Sequence, residues 1–245
     1  MNDQQTELPH EAAMGESDDV GHREPIPAGD GPAGEGMTHR LQSHREWLRQ
    51  QWPDYADIYA RFVGHLVANG AGRGSPIVGE RFPEFILPSH RGHLVRSDHL
   101  LRDGPLIVSF NRGHWCGFCQ IELTGLKDAM GRFSERRASV VSIIPEPEVR
   151  ARQLRESLDL GFDVLSDMDL GLATQLDLTV YLGEELRSLL LADDLDIGAY
   201  QRTDGWFLPI PATFVVGQDQ RVLARYIDAD FRNRMDVEAI VAALG

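Results

Sequence analysis

Apolar residues along the chain fall into two patterns. In the first they recur every three or four positions. Leu41, Trp47, Leu48, Trp52, Tyr55, Ile58, Tyr59, Phe62, Val63 and Leu66 do so, which predicts helix. Pro53 interrupts this run, so it predicts two helices or one sharply bent helix. A glycine-rich cluster over 69–76 closes it as a turn or linker. The aromatic stripe needs a surface to cover it, either the rest of the chain or a second subunit of a homodimer.

In the second pattern, short unbroken apolar runs are bounded by turn residues. Leu106–Phe110 follows Gly104-Pro105, Ala138–Ile144 precedes Pro145, Phe162–Ser166 ends at Asp167, and an apolar strand follows Pro211. Such runs predict buried strands. Between them, helices are expected over Gly117–Phe133, Glu148–Leu160 and Leu170–Leu176, with Met235–Leu244 closing the chain. The order strand, helix, strand, helix favours an α/β arrangement with parallel pairing.

The remaining segments are shorter or less regular. Val78–Pro88 reads as an extended, proline-punctuated piece. Gly92 and His93–Val95 suggest a small hairpin, and Ser97 or Asp98 suits the cap of a short helical turn. Residues 180–203 read as a helical insertion near the functional face. Arg221–Ile227 alternates as a hairpin strand after the polar turn Gln218–Gln220.

Composition refines this picture. The 245 residues are 42% hydrophobic and 25% charged, ordinary for a globular protein with a sizeable core. Net charge is −14, which argues against nucleic-acid and anionic-membrane partners. Residues 1–36 alone hold nine acidic side chains and one arginine, Arg23. That balance, with few apolar positions, predicts a disordered acidic tail over 1–36. A helical extension over 37–76 and a main domain over 77–245 complete the expected organisation. No stretch is apolar enough to span a bilayer. The acidic N-terminus lacks the features of a signal peptide, so a cytoplasmic location is expected.

The candidate chemistry lies in one stretch, Ser109-Phe110-Asn111-Arg112-Gly113-His114-Trp115-Cys116-Gly117-Phe118-Cys119, which holds both cysteines of the chain. Two cysteines at Cys-x-x-Cys spacing after a buried strand suit redox chemistry. At a helix start, unpaired backbone amides and the helix field favour a thiolate on Cys116. Arg112 adds positive charge, and Cys119 lies one turn on, placed to attack an adduct on Cys116. Zinc, with His114 and distant histidines recruited as further ligands, and a structural cysteine pair remain alternatives. The sequence requires no cofactor, since its glycine-rich linker lacks the ending of a phosphate loop.

The run Arg112-Gly113-His114-Trp115-Cys116-Gly117-Phe118-Cys119-Gln120-Ile121-Glu122-Leu123 resembles the Arg-Gly-x-Trp-Cys-Pro-x-Cys-x-x-Glu-Leu signature of peroxiredoxin-like proteins in the alkyl hydroperoxide reductase/thiol-specific antioxidant (AhpC/TSA) family. The resemblance extends over about residues 79–244. It implies a thioredoxin-like fold, a central mixed sheet flanked by helices, here with an extra N-terminal helical region. It further implies that Cys116 is the peroxidatic or redox cysteine and Cys119 its resolving partner, with a hydroperoxide or disulfide as substrate and a thioredoxin-like or other dithiol as reductant. Pro211-Ala212-Thr213-Phe214 is similar to the segment carrying the cis-proline of thioredoxin-fold redox proteins. Asp228–Arg234 is similar to the family's Asp-x-Asp-Tyr/Phe-Arg-x-Arg segment. Trp115, Pro211, Thr213 and Arg232 are the expected substrate-pocket residues, and Arg234 is an equal candidate to approach the thiolate.

Three positions depart from the pattern. Gly117 replaces the signature proline. Gly113 and Ser109 stand where typical peroxiredoxins carry a peroxide-binding Thr or Ser and a Pro. A thiol peroxidase is the primary reading. A protein disulfide oxidoreductase without peroxidase activity, and a non-catalytic interaction protein on the same scaffold, are the alternatives.

Overall fold

A computed structural model describes residues 36–245; the tail expected over 1–36 lies outside them but for Gly36. In chain order the elements are α1 (Met37–Gln51), α2 (Pro53–Ala68), β1 (Ile86–Pro88), β2 (Leu94–Arg96), α3 (Ser97–Leu100), β3 (Leu106–Phe110), α4 (Gly117–Asp128), α5 (Met130–Glu135), β4 (Ser139–Ile144) and α6 (Glu148–Ser157). They continue with β5 (Asp163–Ser166), α7 (Gly171–Gln175), β6 (Thr179–Tyr181), α8 (Gly183–Ala192), α9 (Ile197–Gln201), β7 (Phe207–Pro209), β8 (Ala212–Val216), β9 (Val222–Ile227) and α10 (Val237–Leu244).

The central sheet has the order β5-β4-β3-β8-β9. Strand β3 pairs parallel with β4 and antiparallel with β8, so the sheet is mixed. Parallel pairing comes where a helix crosses over, and antiparallel pairing where β8 and β9 form a hairpin. Because side chains alternate across a strand, the middle strands feed two cores. Leu106, Val108, Phe110, Ile143 and Phe214 pack on one face. Ile107, Ile144, Val164 and Val215 pack on the other, against Leu123 and Leu126 of α4 and Ile240 of α10. The central mixed sheet flanked by helices is the thioredoxin-like architecture that the resemblance implies.

Pro53 divides the N-terminal helices as its ring requires: it takes the first position of α2, where no amide donor is needed. The aromatic stripe is covered by the same chain. Met37, Leu41, Tyr55 and Tyr59 share a cluster with Phe118, both cysteines and Phe231. Helix α1 comes close to α4 at Gly125, where a Cβ would lie 2.9 Å from Met37 Sδ.

Some elements differ from expectation. The helix expected over Gly117–Phe133 breaks at Ala129 (φ −91°, ψ 0°) into α4 and α5, and Phe133 stays fully buried under the sheet. The antiparallel pair β6–β7, joined through α8 and α9, carries no alternating signal, being three residues on each side. Asp167 lies four residues before α7, and its carboxylate accepts the amides of Leu172 and Ala173 at 3.1 and 2.9 Å. Among the described residues no helix is long and apolar enough to cross a membrane.

Candidate active site

Strand β3 ends at Phe110, and the Asn111 amide extends its ladder by bonding the Ile143 carbonyl at 2.8 Å. The chain then turns through Arg112–Trp115 and enters α4 with Cys116 as its N-cap. Both thiols are free and buried, with Sγ atoms 2.9 Å apart. Cys119 is fully enclosed, whereas Cys116 keeps 3% exposure. Two further donors point at Cys119 Sγ, the Arg112 amide at 3.4 Å and Arg234 Nη2 at 3.3 Å.

The support beneath the sulfurs comes from strand register. Ser109 faces Ser142 on β4 and Thr213 on β8, so three hydroxyls form a row across the sheet on the α4 side. Ser109 Oγ and Thr213 Oγ1 donate to Glu122 Oε1 at 3.1 and 3.0 Å. The Asn111 amide group ties Ser109 to Ser142. Arg234 Nε meets Glu122 Oε2 at 2.5 Å, and the same guanidinium donates to the carbonyls of Phe231 and Asn233. Glu122 is 1% exposed, a buried carboxylate tolerated only because all of these donors converge on it.

Arg112 is also buried but has a different environment. Its guanidinium carbon lies 4.0 Å from the Phe231 ring centroid, 4.9 Å from Trp115 and 5.8 Å from Tyr59. Among the described residues no carboxylate pairs with it. Two buried guanidiniums and one carboxylate leave the centre one positive charge in excess, which a single thiolate neutralises. Burial disfavours a charged Cys116, but the Cys119 thiol donating to it and the charges of Arg112 and Arg234 outweigh this, bringing it down to about 6. Cys119 is pushed well above a thiol's ordinary value by burial and by its hydrogen bond and charge repulsion with Cys116. The pair therefore holds one proton between two sulfurs. Burial opposes the charge of Arg234, yet Cys119 and Glu122 hold it protonated more firmly than an ordinary guanidinium.

The expected pocket residues separate. Trp115 lies under Arg112, with its indole nitrogen buried and without a hydrogen-bond partner. Thr213 supports Glu122 rather than lining an open pocket. Arg232 lines a pocket beside the N-terminal helices; Asp230, two residues earlier, binds its amide and takes its guanidinium bidentately at 2.7 and 2.9 Å, and Arg234 is the one of the two arginines that contacts a sulfur. At Pro211 the cis geometry implied by the resemblance is not found. No cis peptide bond occurs among the described residues. The bond before Pro211 is trans, the isomer X–Pro bonds favour by about 0.5–1 kcal/mol, and the chain runs straight into β8 with Ala212 opposite Phe110.

Glu146 and His114 were not singled out as a pair by sequence reasoning. Glu146 is fully buried between Pro145 and Pro147, and its two oxygens face the His114 amide at 2.7 Å and Nδ1 at 2.8 Å. This clamp fixes the turn ahead of Cys116. It also explains Gly113, whose φ of +146° suits glycine and whose added Cβ would lie 2.5 Å from Trp115 Nε1 and 2.9 Å from Glu146 Oε1. Replacing Gly113 with Thr is therefore expected to cost about 1–3 kcal/mol from the backbone alone, without raising peroxide turnover. A urea midpoint and a peroxide-consumption assay check both halves; a stable, faster enzyme would refute the steric account. Among the described residues no three His, Cys, Asp or Glu side chains converge as a metal site.

A buried dithiol sharing one proton, at the start of a helix on a thioredoxin-like sheet, defines a class of thiol redox proteins. Within that class the chain belongs to the AhpC/TSA family, whose sequence model matches residues 78–225. Over 146 residues it is 27% identical to a candidate peroxiredoxin of Mycobacterium tuberculosis, an alignment covering 59% of this chain and 81% of the relative. The fold is similar to that of peroxidoxin BcpB from Mycobacterium tuberculosis (TM-score 0.54, 24% identity, 69% of this chain and 96% of that one). It is also similar to a cysteine-to-serine mutant of peroxiredoxin 6 from Arenicola marina (TM-score 0.55, 15% identity, 69% and 71%). The family and its relatives support general peroxiredoxin-like thiol redox chemistry.

Proposed function

We propose that the protein is a thiol peroxidase in which Cys116 attacks a hydroperoxide and Cys119 resolves the product. The observation that carries this reading is the sulfur pair between two buried arginines with a single carboxylate to balance them. That charge balance keeps one thiolate at neutral pH, the form in which sulfur is nucleophilic. Cys116 is the attacking sulfur because it alone retains exposure. Its thiolate takes the terminal oxygen of the hydroperoxide. An S–O bond forms, the O–O bond breaks, and the departing alkoxide or hydroxide takes up a proton to leave as alcohol or water. Cys119 then displaces hydroxide from the sulfenic acid, which leaves as water, and the disulfide forms. A dithiol reductant of thioredoxin type restores both thiols by exchange.

The test is a rapid-reaction measurement of the reduced protein with hydrogen peroxide and an organic hydroperoxide, followed by mass analysis for a Cys116–Cys119 disulfide. One equivalent of either oxidant is expected to produce the disulfide and consume both thiols. A second reading, disulfide exchange with a protein substrate, is favoured by Gly113, which offers no hydroxyl to a peroxide. Reduction of a protein disulfide by a protein that peroxide leaves untouched would establish it in place of the first.

A further inference from the structure

Beside the sulfur centre, the N-terminal helices enclose a cavity of about 660 Å³, within the usual range of ligand pockets, about 300–1,000 Å³. Its wall is built from α1 and α2 on one side and the Phe231–Arg234 segment on the other. The α1 and α2 half of its lining precedes the span matched by the family, residues 78–225, so that wall is supplied by the N-terminal helices of this chain.

The lining has two halves. Tyr55, Tyr59, Phe118 and Phe231 form an aromatic floor, and they share one packed cluster with Cys116 and Cys119. The rings of Tyr59 and Phe231 touch each other with centroids 4.7 Å apart and both lie against Arg112. One layer of side chains thus separates the cavity from the sulfurs. The rim is cationic. Arg45, Arg49, Arg232 and Arg234 line the cavity against a single carboxylate, Glu46, in a protein whose net charge is −14. Three of the four arginines are already engaged: Arg234 by Glu122, Arg232 by Asp230, and Arg45 by Asn233 at 2.6 Å. Arg49 is exposed and makes no ion pair among the described residues, which leaves a free guanidinium at the mouth of an aromatic cavity.

We propose that this cavity binds an amphipathic organic carboxylate, its chain on the aromatic floor and its carboxylate at Arg49, and that the hydroperoxide of such an acid is a substrate. An apolar body with one anionic end matches both halves of the lining, because burial of the chain supplies affinity and the guanidinium supplies orientation. The substrate assignment rests on the peroxidase reading above; the binding assignment does not. The N-terminal helices then have a function beyond covering the sulfurs. They hold a bulky acid where displacement of the Tyr59 and Phe231 rings brings its peroxide to Cys116.

The experiment separates the two claims. Calorimetric titration with monomeric linoleate, which carries no peroxide, is expected to show saturable binding to the wild type. Arg49→Glu should weaken it at least tenfold, methyl linoleate should bind at least tenfold more weakly than the acid, and Ala56→Trp should block the cavity. In turnover, both variants should lose kcat/KM for linoleic acid hydroperoxide while keeping the wild-type rate with hydrogen peroxide. Absence of linoleate binding, equal binding of the ester, or binding that survives both substitutions overturns the proposal whatever the peroxidase result. Intact linoleate binding in a protein inert to every peroxide would instead overturn the catalytic reading and leave the binding site standing.

Discussion

Arg234→Met is expected to destabilise the protein by about 3–5 kcal/mol, the usual cost of stranding a buried charge, and to raise the titration of Cys116. Arg234 meets Glu122, Cys119 and two backbone carbonyls from a position almost closed to solvent. Without it, Glu122 keeps only the Ser109 and Thr213 hydroxyls as donors, too little for a fully buried carboxylate. The thiolate loses one of two arginines that lower it to about 6. The thiolate fraction grows as pH rises through the pKa, so a higher pKa moves the profile of Cys116 alkylation toward alkaline pH and slows labelling at pH 7. Pairing Arg234→Met with Glu122→Gln removes the stranded charge. That double variant keeps Arg112 as one uncompensated positive charge, so it should regain part of the stability and part of the low titration. Glu122→Gln alone should push the titration the other way, since two guanidiniums then face the sulfurs uncompensated. Urea unfolding and iodoacetamide labelling across pH measure the two effects, and an unchanged labelling profile in Arg234→Met would refute the charge balance argued for the site.

Those outcomes also show what the sequence could and could not reveal. The buried strands and the cysteine turn were legible because short apolar runs between Gly, Pro and Asp leave few alternatives, and because the thiols are the only two in the chain. Glu122 stood in the recognised signature, yet its role was not legible. A carboxylate on an otherwise buried helix face is itself a signal that donors must converge there, and the single hydroxyls of Leu106–Phe110 and Ala212–Val216 were the other half of that signal. Strand register, which brings Ser109 beside Thr213, is a long-range fact that no local pattern contains. The choice between Arg232 and Arg234 was decided by Asp230, whose carboxylate two residues before Arg232 captures the nearer guanidinium. That local competition was readable in the sequence Asp230-Phe231-Arg232. The cavity was not, since it needs α1 and α2 folded back over α4 and the Phe231 turn.

Cys116→Ser is expected to reduce the rate of hydroperoxide consumption by about a thousandfold or more, because a hydroxyl cannot replace a thiolate as nucleophile. In the wild type that rate should rise through about pH 6 as Cys116 ionises and level off above it. Cys119→Ser should behave differently. It should complete one oxidation, accumulate a trappable sulfenic acid on Cys116 when no reductant is present, and form no intramolecular disulfide, since the chain has no other thiol. The contrast is informative because the donors are distributed unevenly. The Arg112 amide and Arg234 both point at Cys119, whereas exposure favours Cys116. If access governs, the trapped adduct forms on Cys116 and Cys116→Ser is inert. If the donors govern, Cys116→Ser remains oxidisable and carries the adduct on Cys119. That outcome would reverse the two roles while preserving the thiol chemistry, because the shared proton and the excess positive charge stabilise a thiolate on whichever sulfur is free to hold it.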